Sequence, residues 1–153
     1  MRKLTNITQE ACERFIAALL PDTGGRIPVS HALENAEQDI ERINVIATES
    51  ETVAYGEDGS PHVIAQNVVI RIKAHRESEE ADTFIPALIG RLNSGRADFQ
   101  AVADALDEPY NNLTIIEVTH PAAEEEPDPS DGFITRQITA VVTTQPIFIE
   151  TEG

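Results

Sequence analysis

The chain has 153 residues, 41% of them hydrophobic, with 27 Asp and Glu against 11 Lys and Arg for a formal net charge of −16. Length and apolar content suffice for one hydrophobic core; they exclude two full cores, an α/β barrel and global disorder. The acidity excludes general binding to nucleic acid, which needs clustered Lys and Arg to displace counterions from phosphate.

In chain order, Arg2-Lys3 leads into no apolar run, because Gln9, Glu10, Glu13 and Arg14 interrupt it. No secretory leader is therefore expected. No stretch reaches the roughly 20 apolar residues of a membrane span. Residues 8–20 then read as a helix, with Ala11, Phe15, Ala18 and Leu19 on one face and Cys12 and Ile16 beside it. Thr8 is the expected N-cap, Glu10 favours the positive end of the dipole, and Pro21 with Gly24-Gly25 stops the helix. Cys12 is the single cysteine, so no internal disulfide exists; a small buried hydrophobe in a reducing cytoplasm is the expectation.

Residues 21–30 read as a loop and 31–39 as a short helix through Leu33, Ala36 and Ile40. At 43–48 the β-branched run Ile43-Asn44-Val45-Ile46 predicts a strand, followed over 49–61 by a long polar connection carrying Gly56, Asp58-Gly59 and Ser60-Pro61. Over 63–75, Val68, Ile70 and Ile72 alternate with Val69, Arg71 and Lys73, the strongest strand signal in the chain. A helix over 83–92, capped by Asp82 or Thr83 with Pro86 near its first turn, carries the stripe Phe84, Ile85, Leu88, Ile89 and Leu92. Asn93-Ser94-Gly95 ends it, and Phe99, Val102, Ala103 and Leu106 mark a shorter helix over 99–106.

A strand is expected at 113–118, extending to 119 at most. The segment 120–132 holds Pro121, Pro127, Pro129 and Gly132, the run Glu124-Glu125-Glu126, and no Lys or Arg. It reads as a solvated loop whose stretch 124–131 is the most mobile internal segment. The last strand, 133–144, sets Ile134, Ile138, Ala140 and Val142 on one face and a Thr-rich, exposed set, Thr135, Gln137, Thr139, Thr143 and Thr144, on the other. After Gln145-Pro146 comes a tail, 147–153, in which Ile147-Phe148-Ile149 docks either on this domain or on a neighbour. The whole chain, 1–153, is thus expected to be a single α+β domain. Its mostly antiparallel sheet would be built from 43–48, 63–75, 113–119 and 133–144, with helices packed on one face.

Motifs for chemistry are lacking. His31, His62, His75 and His120 form no metal-ligand spacing, and no GxSxG, P-loop or GxGxxG pattern occurs. The acidic run lacks the calcium-loop pattern. The sequence therefore points to no catalytic residue, no cofactor and no metal ligand. The candidate partner-contacting residues are Ile147, Phe148, Ile149, Thr135, Gln137 and Thr139.

Order, lengths and charge together resemble the tail terminator (tail-completion, neck) proteins of long-tailed bacteriophages. The resemblance covers about residues 8–146. It rests on an N-terminal amphipathic helix before Ile43-Asn44-Val45-Ile46-Ala47, a polar loop leading into Asn67–Arg76, a helix from Thr83 to Leu92, Leu113-Thr114-Ile115-Ile116-Glu117, an acidic loop, and a last strand Thr135–Val142. It implies a viral structural protein without catalytic residues: a homo-oligomeric ring, six copies, that caps the tail tube and joins it to the head connector. DNA would pass through the lumen without specific binding, and no membrane is involved. Such a protein resides in the virion, at the neck, after assembly in the bacterial host cytoplasm. The residues themselves leave a second class open, an acidic inhibitor or DNA mimic bound to the basic cleft of a host protein. A small enzyme, which would need a concave pocket with convergent titratable groups, is a third.

Overall fold

Period-two alternation over a long apolar stretch makes one strand the spine of the molecule, and its neighbours assemble on both edges. The structure, a computed structural model, describes residues 2–20, 29–31, 42–59, 61–75, 79–120, 124–127 and 133–152. Its elements are β1 (Arg2–Asn6), α1 (Thr8–Leu19), β2 (Val29–His31), β3 (Arg42–Tyr55), β4 (Pro61–His75), α2 (Glu79–Leu92), α3 (Arg96–Asp104), a 3-10 turn (Tyr110–Asn112), β5 (Ile115–Thr119), β6 (Glu124–Pro127), β7 (Phe133–Thr144) and β8 (Phe148–Glu152). The main sheet runs β2-β3-β4-β7-β5, with β6 also on β7, and a separate two-stranded sheet pairs β1 with β8. All pairings are antiparallel except β2 with β3. The expected α+β class and its one-sided helical layer are therefore what the chain adopts.

Register explains the layering. Ile72, Ile70, Val68, Gln66 and Ile64 of β4 stand opposite Arg136, Ile138, Ala140, Val142 and Thr144 of β7, and Ile43 and Val45 of β3 join the same face. Against that face pack Ala11, Cys12, Phe15, Ile16 and Leu19 of α1, Phe84, Ile85, Leu88 and Leu92 of α2, and Phe99 and Ala103 of α3, in one contiguous core. With no Trp in the chain, this core is mainly aliphatic, with Phe15, Phe84 and Phe99 as its buried aromatic residues. Phe15 and Phe99 meet edge to face, centroids 6.1 Å apart at 79°, and join α1 to α3. Each fully buried Leu, Ile or Phe contributes about 1.5–3 kcal/mol against leaving it in water.

Several expectations need correction. The polar connection over 49–61 is mostly strand: β3 continues to Tyr55 and β4 begins at Pro61. Up to Thr52 the extension lies beside the part of β4 that β7 also pairs, and only its Ala54–Tyr55 end is two strands wide; ladder hydrogen bonds hold it, which a burial-based pattern does not register. The acid run is likewise not all loop, since Glu124–Pro127 pairs with Ile134–Gln137 as β6; 128–131 lies outside the described residues. The short helix over 31–39 is not seen at its start, where His31 belongs to β2, and 32–39 lies outside the described residues.

Helix α2 starts at Glu79, four residues before the expected start, so Pro86 falls inside it rather than in its first turn. Its side chain is exposed there, and the helix forgoes one backbone hydrogen bond while its opposite face stays buried. Helix α3 begins three residues earlier than read, at Arg96, because Gly95 is the N-cap and its carbonyl accepts the Asp98 and Phe99 N–H groups. Strand β5 begins at Ile115 rather than 113.

Candidate interaction surface

Both ends of the described chain fold back together. Strands β1 and β8 pair in the register Arg2↔Glu152, Leu4↔Glu150 and Asn6↔Phe148. The tail thus has an intrachain docking partner that no local pattern reveals. The junction is built from Asn6 to Thr8. The Asn6 side-chain oxygen accepts the Thr8 N–H at 2.9 Å and the Thr8 hydroxyl at 2.6 Å. The same hydroxyl accepts the Ile147 N–H at 2.7 Å, and the Ile147 carbonyl accepts the Ile7 N–H at 3.0 Å. Thr8 therefore sits in the first helical turn, not at the cap, and is itself buried.

The six residues singled out as partner contacts separate accordingly. Ile147 is buried in the core, and Ile149 is half-buried against it. Phe148 points away from the molecule and is 50% exposed. Period-two alternation sets it on the same ribbon face as Leu4, which is 66% exposed. Thr135 is buried beside its ladder partner Lys73, while Gln137 and Thr139 are half-buried. The Thr-rich face is thus not uniformly open. Thr144 belongs to the opposite face altogether: its hydroxyl donates to the Thr114 carbonyl at 2.6 Å, and the residue is fully buried. Two adjacent residues, Thr143 and Thr144, cannot share one face of a strand. Moreover Thr135 and Gln137 are paired with β4 on one edge and β6 on the other and so offer only a sheet face, whereas Thr139, between the β6 and β5 pairings, is paired among the described residues with Val69 of β4 alone.

A second surface is the distal part of the β3–β4 hairpin, which we term the arm. It departs from regular pairing at a register shift between Ala47 and Ser50. Such bulges leave backbone groups off the ladder, and α1 supplies them. The Glu13 carboxylate accepts the Ala47 N–H at 3.0 Å, and the Gln9 side-chain amide donates to the Thr48 carbonyl at 2.6 Å. From inside, the buried Gln66 amide donates to the Thr48 and Asn67 carbonyls at 3.3 and 3.1 Å. One turn of α1 separates Gln9 from Glu13, which aligns both with the bulge. The arm root is therefore fixed, and the arm turns at Gly56–Gly59, where Gly59 has φ +82° and its N–H reaches the Gly56 carbonyl at 3.0 Å. Along the arm, Val53 is 59% and Tyr55 67% exposed.

The β5 edge is treated differently. Gln100 of α3 places its carboxamide beside the strand, donating to the Leu113 carbonyl and accepting the Ile115 N–H, both at 2.9 Å. Arg96 donates from Nε to the Ile115 carbonyl at 3.0 Å. Side chains thus occupy hydrogen-bonding positions that an added strand would use, which blunts the edge.

On the sheet face opposite the helices, Ser50, Glu51, Ala65, Asn67 and Val141 line an open groove of about 450 Å³. It gathers one carboxylate and no other titratable side chain. Among the described residues no group of three or more His, Cys, Asp or Glu side chains converges as a metal site. His120 meets Asn93, Nε2 to Oδ1, at 2.9 Å. Cys12 is fully buried, and burial pushes its thiol from 9.0 up to about 12, which keeps it protonated and unreactive at neutral pH. No described helix is long and apolar enough to cross a membrane.

Sequence reasoning singled out the tail but missed Leu4, Val53 and Tyr55. Lys3-Leu4-Thr5 and Thr52-Val53-Ala54-Tyr55 do alternate, the one signal that could have marked both segments as strands. No model of a known protein family matches the chain, and no curated protein is significantly similar to it.

Proposed function

We propose that the chain is a structural subunit of a phage particle, a tail terminator or neck protein that assembles into a ring of six copies. The ring would cap the tail tube and join it to the head connector, in the virion, after assembly in the bacterial host cytoplasm. The observation that carries this reading is the combination of a −16 chain with large apolar side chains standing exposed on two separate two-stranded elements, Leu4 and Phe148 on one, Val53 and Tyr55 on the other. A surface of that kind suits association with protein, and an acidic chain lets DNA pass without adhering. The order helix, long hairpin, helices, closing strands also agrees with the order on which the resemblance rests.

Mass in solution tests it. Six copies at −16 each repel one another, and screening shortens from about 10 Å at 0.1 M salt to about 3 Å at 1 M. Sedimentation should therefore show monomers or small oligomers at low salt, and rings at high salt or in the presence of tail tubes, visible by electron microscopy with an open centre. A chain that stays monomeric under all these conditions and ignores tail tubes would refute the proposal. Tight binding of that monomer to a basic host protein would favour the mimic instead.

A further inference from the structure

We draw no further inference here: the strongest candidate, the pair of exposed apolar patches formed by Leu4 and Phe148 on the β1–β8 ribbon and by Val53 and Tyr55 on the β3–β4 arm, carries nothing because nothing in the structure shows what covers either patch.

Discussion

Replacing Thr8 by Val exchanges a hydroxyl for a methyl group and leaves the shape of the side chain almost unchanged. The lost oxygen is the only described acceptor for the Ile147 N–H, and its hydroxyl also donates to Asn6. A buried N–H stripped of its acceptor costs about 1–3 kcal/mol, and loss of the Asn6 bond adds about 1 kcal/mol or less, since the Thr8 N–H still reaches the same Asn6 oxygen. Val and Thr have similar helix propensities, so the helix itself is not penalised. The expected destabilisation is about 2–3 kcal/mol out of the roughly 5–15 kcal/mol typical of a domain. With a urea slope of about 2 kcal/mol/M, the midpoint should fall by about 1–1.5 M. Thr8→Ser keeps the hydroxyl and gives up one methyl group, so it should lose only about 0.8 kcal/mol. Amide exchange at Ile147 should accelerate in the Thr8→Val variant and not in the Thr8→Ser variant. If the Thr8→Val chain unfolds at a urea midpoint within about 0.3 M of wild type, or if both variants lose the same amount, the hydroxyl is not the latch between helix and tail.

Deleting 147–152 should destabilise the fold itself by several kcal/mol, because buried Ile147 leaves the core and Ile7 and Thr8 lose their partners; a truncated chain with wild-type thermal stability would contradict this. The raised Cys12 thiol binds its proton more tightly in the folded than in the unfolded chain, so its contribution is intact below pH 9.0 and is lost as pH rises from there toward about 12. Denaturation between about pH 9 and 11 should show a decline, limited to about 1.4 kcal/mol per pH unit from this group, that Cys12→Ala removes; rapid labelling of the native thiol at about pH 8, below that window, would be contrary evidence. Gln100→Ala orphans the Ile115 N–H and the Leu113 carbonyl, so stability should drop by about 1–3 kcal/mol while light scattering on storage rises as the β5 edge opens. Unchanged stability and scattering would show that the edge is protected by something else.

What the sequence disclosed was whatever burial imprints on it. The 3.6-residue stripe of α1 and the alternation of β4 and β7 arise because one side faces the core and the other does not, and the reading of 63–75 and 133–144 matches the observed strands nearly residue for residue. Where stability comes from ladder hydrogen bonds instead, the imprint is faint. Ser50-Glu51-Thr52 looks like a loop because neither of its faces is deeply buried, yet β4 holds it as a strand. The run Glu124–Glu126 has poor intrinsic strand preference and is recruited by the free half-edge of β7. The ribbon leaves the faintest trace, because Arg2–Asn6 finds its partner nearly the whole chain away, and a five-residue strand carries no mark of so distant a match. Of the candidate contacts, Phe148 stands exposed, Ile147 turns inward by the alternation of its own segment, and Leu4, Val53 and Tyr55 join Phe148 only once the pairing is known.

That distant match also orders the steps by which the described fold forms. The helices and the β3–β4–β7 sheet can take shape as the chain emerges, but β1 must wait, its edge unanswered, until Phe148–Glu152 has been synthesised. A chain cut short before Phe148 would have the core and the arm and lack the ribbon. Leu4 would then stand on a strand without its partner and without Phe148 beside it, so the exposed apolar pair of the ribbon face would be lost. The ribbon is thus a late check on the fold, because the first described strand is answered only by the last one described.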